Sequence, residues 1–245
     1  MKKAILILVL GLLVSFNVEA SSYVFSKNLY TDCDILTKKD PTSFKNLVFE
    51  KEGQLLTYDR RTRDTRWTKV FIFQATFEKK YSAKIIVNAE FKTKDKAEKQ
   101  ALKYGTMVGQ LPNFLKENIE TVTIHKGNKP WGGGNRITIH TGSSGTTGKW
   151  KKCVEEHMVH EAGHSLVTAS SWTIAQEADN KFISPYAKEF PYREDVAETI
   201  LWWVAVRCKP DRIYKSHYKK ILEGIPNRLK YFDEQNYDTY PLVCK

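Results

Sequence analysis

The sequence predicts an α+β fold that is strand-rich over residues 21–150 and helical over residues 151–245. Runs of β-branched and aromatic residues fill the first part, and helix-forming patterns dominate from residue 152 onward. The 245 residues, of which 41% are hydrophobic, are enough to bury a core. Because no internal repeat, low-complexity linker or long charge run divides the chain, we expect a single domain over residues 21–245.

Residues 1–20 have the composition of a secretory signal peptide. Two lysines precede an apolar run over residues 4–14, and Val18 and Ala20 form a cleavage signal of the small-x-small type. An uncleaved anchor is the alternative, but the apolar run is shorter than the roughly 20 residues that span a bilayer. We therefore expect cleavage and a secreted or periplasmic protein.

Four strands and one helix are predicted before residue 150. The helix covers residues 94–104 and ends at Gly105. The loop that contains Gly132, Gly133 and Gly134 separates the last two strands, and we interpret it as a flexible or close-packed bend. The strands are residues 68–77 and 81–91, which form a hairpin, and residues 119–125 and 135–141.

A His-Glu-x-x-His motif lies in the predicted helix over residues 153–167. His160 and His164 are four residues apart, so both can present imidazole nitrogens to one zinc ion with Glu161 beside it. Chance alone produces this pattern in roughly one shuffled chain in a hundred. The alternative, two solvent-facing or hydrogen-bonded histidines, explains neither the glutamate nor the small Ala162 and Gly163 between the ligands.

A second acidic helix offers the third ligand that a catalytic zinc needs. It begins at Glu194, which 29 residues separate from His164, with the sequence Glu-Asp-Val-Ala-Glu. Glu194 and Glu198 share one helix face, so Glu194 can bind the metal and Glu198 can accept a hydrogen bond from a ligand histidine. The alternative is an exposed acidic helix start, which the helix dipole favours.

The two motifs together resemble the gluzincin zinc metallopeptidases, the class that includes thermolysin. The resemblance covers residues 119–206 and implies a zincin-like fold, a Zn²⁺ cofactor and a protein or peptide substrate. It also implies that Glu161 acts as general base toward a zinc-activated water. The sequence departs from thermolysin at Glu198, where an aspartate is usual, and in lacking a clear counterpart of the later catalytic histidine.

The resemblance also indicates how the transition state and the substrate are held. Tyr186 lies in a stretch similar to a gluzincin variant in which a tyrosine faces the site, so it is the first candidate to stabilise the oxyanion, and His217 is the second. A packed loop aromatic is the alternative for Tyr186. Residues 136–141 fit the edge strand to which a peptide substrate adds, although an ordinary sheet strand is an equal alternative.

The net charge of +11 favours anionic surroundings. Residues 60–67 combine four arginines with a tryptophan, a composition that can bind an anionic polymer. Basic residues are nevertheless scattered over the chain, and no nucleic-acid-binding motif is present. We expect a monomer without a specific nucleic-acid partner. The rival to a peptidase is a secreted, non-catalytic protein that binds metal or envelope polyanions.

Four cysteines follow the leader, and none lies in a Cys-x-x-Cys spacing. An even number in an exported chain favours disulfides over free thiols or a cysteine zinc site. If the two motif helices converge on one metal, antiparallel packing brings Cys153 toward Cys208. That pairing leaves Cys33 to join Cys244.

Overall fold

A computed structural model describes residues 22–26, 32–143, 153–166 and 170–244. The described residues form five strands in one mixed sheet together with eight α-helices, so the predicted α+β class is confirmed. The predicted signal peptide lies outside the described residues. Among the described helices, none has the length and hydrophobicity that a membrane crossing requires.

The strands lie in the sheet in their chain order. The second strand pairs antiparallel with both the first and the third, and the third, fourth and fifth strands pair in parallel. Their bounds are Phe44–Asp59 for β1, Asp64–Phe77 for β2, Ser82–Asn88 for β3, Thr121–His125 for β4 and Arg136–His140 for β5.

The helices divide between the β3–β4 crossover and the second half of the chain. The crossover carries α1 (Lys94–Gln110) and α2 (Asn113–Lys116). The others are α3 (Val154–Gly163), α4 (Ser170–Asp179), α5 (Pro185–Glu189), α6 (Glu194–Cys208), α7 (Lys215–Gly224) and α8 (Pro226–Asp233).

All four predicted strands are present, but the prediction for α1 is wrong at its C-terminal end. Gly105 does not end the helix, which continues to Gln110. A Cβ atom at Gly105 would come within 3.1 Å of Ile85 and 3.2 Å of Phe44, so this glycine allows α1 to lie close to the sheet. A glycine in a helix can therefore mark close packing as well as an end.

One hydrophobic core joins the sheet to the helices. Helix α6 runs through it, with all but one of its fifteen residues buried, and α3 packs beside α6. Large buried residues of this core include Phe73, Ile85, Tyr104, Met158 and Trp202.

The predicted disulfide pairing is wrong. The structure joins Cys33 to Cys153 and Cys208 to Cys244, and it leaves no cysteine free. Cys153 lies seven residues before His160, whereas Cys208 lies fourteen after Glu194. At about 1.5 Å per helical residue, Cys208 overshoots the level of Cys153 by about 10 Å, more than the roughly 7 Å between Cα atoms that a disulfide spans.

The Cys33–Cys153 bridge holds an N-terminal segment against the start of α3. In this segment Ile35 and Leu36 are buried, and the Leu36 backbone N–H donates a 3.0 Å hydrogen bond to Glu156 Oε1. Burial raises the pKa of Glu156 to about 8, and the hydrogen bond from Leu36 offsets only part of this effect.

The raised pKa of Glu156 predicts that its contribution to the free energy of unfolding is complete below pH 4.5 and is lost as the pH rises toward 8. Glu156→Gln keeps the acceptor oxygen but cannot ionise. When the pH rises from 5 to 8, the free energy of unfolding of this variant should increase by roughly 3 kcal/mol relative to that of the wild type. Urea unfolding at both pH values checks this, with the exposed Glu177→Gln as control; parallel pH dependence in all three proteins would contradict the prediction.

Candidate metal centre

The candidate centre lies where α3 packs closely against the start of α6. A Cβ atom at Gly163 would lie 2.7 Å from Ile200 Cγ2 and 3.1 Å from Ala197 Cα. These distances are too short for a side chain, so the glycine at this position lets the two helices approach. The small residue between the two histidines of the motif therefore has a packing reason.

Three predicted ligands converge at this contact. Glu194 Oε2 lies 3.3 Å from His160 Nε2 and 3.5 Å from His164 Nε2. One ligand atom from each residue lies within 4.8 Å of the others, which allows a single ion to contact all three. Two imidazoles and a carboxylate form a typical zinc ligand set. The residues present therefore fit the predicted metal.

The electrostatics of the cluster also suit a cation. Burial opposes the charged form of Glu194, but its hydrogen bond from His160 and the nearby His164 lower its pKa overall. Burial and the neighbouring His160 lower the pKa of His164 to about 4, so its imidazole is neutral at physiological pH. His164 and Glu194 are therefore in the protonation states that bind a metal. Burial opposes the charged form of His160, but the carboxylates of Glu194, Glu161 and Glu198 raise its pKa overall, so a metal ion would displace a proton there.

Buried ion pairs fix the start of α6, which carries Glu194. Both carboxylate oxygens of Asp195, the next residue, accept hydrogen bonds from Arg228 Nη1, at 2.7 and 2.6 Å. Arg228 Nε also donates a 2.9 Å hydrogen bond to Asp179 at the end of α4, and all three side chains are fully buried. Gln176 adds a 2.8 Å hydrogen bond to Asp195. These contacts therefore join α4, α6 and α8 directly beside the candidate ligand Glu194.

Glu161 lies next to the ligands, and its carboxylate is held by its own helix. Glu161 Oε1 lies 3.0 Å from His157 Nε2, one turn earlier on α3. Burial disfavours the charged form, but the contacts with His157 and with the ligand histidines lower the pKa of Glu161 overall. The carboxylate is therefore ionised and can accept a proton.

Glu198 is fully buried one turn after Glu194, near His160. Burial raises the pKa of Glu198 to about 7, and a hydrogen bond with Ser184 offsets part of that effect. Glu198 Oε2 has no hydrogen-bond partner among the described residues, and neither has His160 Nδ1. The expected bond from a ligand histidine to Glu198 is therefore not formed, although the two groups interact electrostatically.

The two candidates for oxyanion stabilisation occupy different places. Tyr186 lies near Glu194, since burial and then the charge of the Glu194 carboxylate raise the pKa of its phenol. The residue is 47% exposed. His217 instead contacts Asp32 at 2.6 Å and packs edge-on against Phe25. Among its contacts within the described residues, none is with the metal ligands.

Strand β5 lies at the sheet edge, as expected of a strand that receives a peptide, but its outer side is partly covered. Gly132 exchanges two backbone hydrogen bonds with Thr138, at 3.0 and 2.7 Å. The next glycines reach α3, where Gly134 N–H donates to the Glu161 carbonyl at 2.9 Å. The glycine loop is therefore a close-packed bend and not a flexible one. A peptide cannot pair with β5 at Thr138 without displacing this loop.

The arginine-rich stretch, residues 60–67, forms the turn between β1 and β2 and the first residues of β2. Arg61 pairs with Asp59 and Glu90, each at 2.7 Å, so part of its charge is used to fix the turn. Arg60 packs over Gly132, and Trp67 is 67% exposed. This basic hairpin therefore lies beside the glycine loop, and whether it binds polyanions stays a prediction.

No protein-family model, curated protein or solved structure matches the chain at a significant level. The resemblance to gluzincins therefore stays a prediction from the two sequence motifs.

Three residues around the centre were not predicted from the sequence: His157, Gly133 and Arg228. His157 lies four residues before Glu161, so helical spacing alone could have indicated their contact. Gly133 was assigned to a bend, but its position against Glu161 depends on how the loop returns to α3. Arg228 had no sequence signal, because its partners lie 33 and 49 residues away.

Replacing Arg228 by methionine should lower the free energy of unfolding by about 3–5 kcal/mol, since two buried carboxylates lose their cation. Zinc affinity should fall as well, because Asp195 adjoins Glu194. The matched control is Arg207→Met, which removes a partly exposed pair with Asp233 and should cost about 1 kcal/mol or less. Chemical denaturation and zinc titration measure both effects, and equal losses in the two variants would contradict the role of the buried pairs.

Proposed function

We propose that this protein is a zinc-dependent metallopeptidase in which α3 and α6 form a zincin-like metal centre. The observation that carries the proposal is the convergence of His160, His164 and Glu194 from two separate helices, with Glu161 adjacent. A His-Glu-x-x-His helix with a downstream glutamate is the arrangement that its resemblance to gluzincins implies.

The proposed mechanism uses residues already in place. Bound zinc would supply a Lewis acid that lowers the pKa of a water molecule and polarises the scissile carbonyl. Glu161 accepts the proton of the attacking water and delivers it to the leaving amine. Tyr186 donates a hydrogen bond to the oxygen on which negative charge develops.

We further propose that the protein acts outside the cytoplasm. Both disulfides fit an oxidising compartment, and the composition of residues 1–20 fits a leader peptide. The substrate would then be a secreted or envelope protein or a peptide.

The rival function is a metal-binding or polyanion-binding protein without catalysis. The basic hairpin between β1 and β2 favours this alternative, because Trp67 and two arginines, Arg63 and Arg66, are exposed there. A binding protein of this kind does not require an ionised glutamate beside the metal ligands. The carboxylate of Glu161 therefore separates the two functions.

We predict that Glu161→Gln retains one zinc per chain and the wild-type melting temperature but loses hydrolysis of a mixed peptide library. The amide cannot accept the proton of water, and loss of a general base typically costs 10²–10⁴-fold in rate, as an order of magnitude. Mass spectrometry of the digested library and metal analysis measure both properties.

The matched control is Glu155→Gln, on the same helix but outside the metal centre, which should cleave the library like the wild type. Equal cleavage by Glu161→Gln and wild type would overturn the role of Glu161. A zinc-loaded wild type that cleaves no library peptide would overturn the peptidase and favour the binding protein.

A further inference from the structure

His157 is the one histidine near the metal centre that the proposed mechanism does not use. We propose that His157 is a positioning residue that orients the Glu161 carboxylate through a hydrogen bond from its Nε2–H group. This inference rests on the proposed peptidase function, since it concerns the general base of that reaction.

The direction of the hydrogen bond follows from the chemistry of the pair. His157 Nε2 lies 3.0 Å from Glu161 Oε1. The general base of the proposed reaction is an ionised carboxylate, which can only accept a hydrogen bond. The imidazole must therefore carry its proton on Nε2. Because the two residues are one helical turn apart, the same helix that presents His160 also sets the position of this donor.

The imidazole of His157 is itself fixed by an aromatic support. Its ring stacks on Trp131, with centroids 4.6 Å apart and planes 11° from parallel. Trp131 is buried, its indole N–H donates to the His140 carbonyl at 3.2 Å, and it packs edge-on against Tyr104. This support holds the donor in one orientation toward Glu161.

The second oxygen of Glu161 is limited by the glycine loop. A Cβ atom at Gly133 would lie 2.6 Å from Glu161 Oε2 and 2.2 Å from its backbone oxygen. Gly134 N–H holds that backbone oxygen at 2.9 Å. His157 thus contacts one carboxylate oxygen while the loop restricts the other, and the carboxylate has little freedom to rotate. A group held in this way loses less entropy when it reaches the reactive geometry.

A purely structural role would require only the stacked ring of His157, and two substitutions separate the roles. His157→Phe keeps an aromatic ring for Trp131 but removes the donor. His157→Gln places an amide N–H near the former Nε2 but removes the ring. The positioning role predicts that the Phe variant loses activity and the Gln variant retains it, whereas a packing role predicts the reverse order.

The test compares wild type, His157→Phe and His157→Gln, each loaded with zinc, on one cleaved library peptide. We expect kcat of His157→Phe to fall by about 10–100-fold with KM and zinc content unchanged. We expect His157→Gln to stay within a few-fold of wild type. Full activity of the Phe variant, or a larger loss in the Gln variant, would overturn the proposal.

A second readout does not depend on activity. In ¹H–¹⁵N NMR spectra of the wild type, the His157 Nε2–H proton should exchange slowly with water, and this protection should vanish in Glu161→Ala but not in Glu155→Gln. An unprotected proton in the wild type would overturn the proposed hydrogen bond.

A wild type without hydrolysis would overturn the proposed function, whereas an active wild type with an equally active Phe variant would overturn only the role of His157.

Discussion

The close approach of α3 to α6 at Gly163 is the constraint on which the candidate metal centre depends. No larger residue fits there, because Ile200 and Ala197 occupy the space of a side chain. This contact brings two histidines of one helix to the first residue of another, so that the three ligand atoms share one small volume. Without it the two motifs would be unrelated features of separate helices.

Beside this contact the fold pairs the buried charges of Arg228, Asp195 and Asp179. Arg228 neutralises Asp195 and Asp179 on one side of α6, and the Cys33–Cys153 bridge holds the N-terminal segment over Glu156 on α3. Buried ion pairs of this kind add little net stability, but removing one partner is costly. In this fold they fix the position of the first turn of α6, and with it Glu194. A hydrophobic contact, which has no direction, would fix that position less precisely.

The local parts of the site were predictable, and the long-range parts were not. Helical spacing indicated that His160 and His164 share a face, and the acidic motif indicated Glu194. Strand β1 went unpredicted, since most of its side chains are exposed or half-buried and its alternation is weak. The pairing of Cys33 depends on how the N-terminal segment crosses α3, which no spacing within the chain reveals.

The central claim is that one zinc ion is held by His160, His164 and Glu194. A crystal structure of the zinc-loaded protein, with anomalous diffraction at the zinc edge, tests it most directly. We predict one strong peak about 2.0–2.2 Å from His160 Nε2, His164 Nε2 and a Glu194 oxygen. A peak elsewhere, or a zinc ion that leaves any of these three residues uncoordinated, would contradict the account.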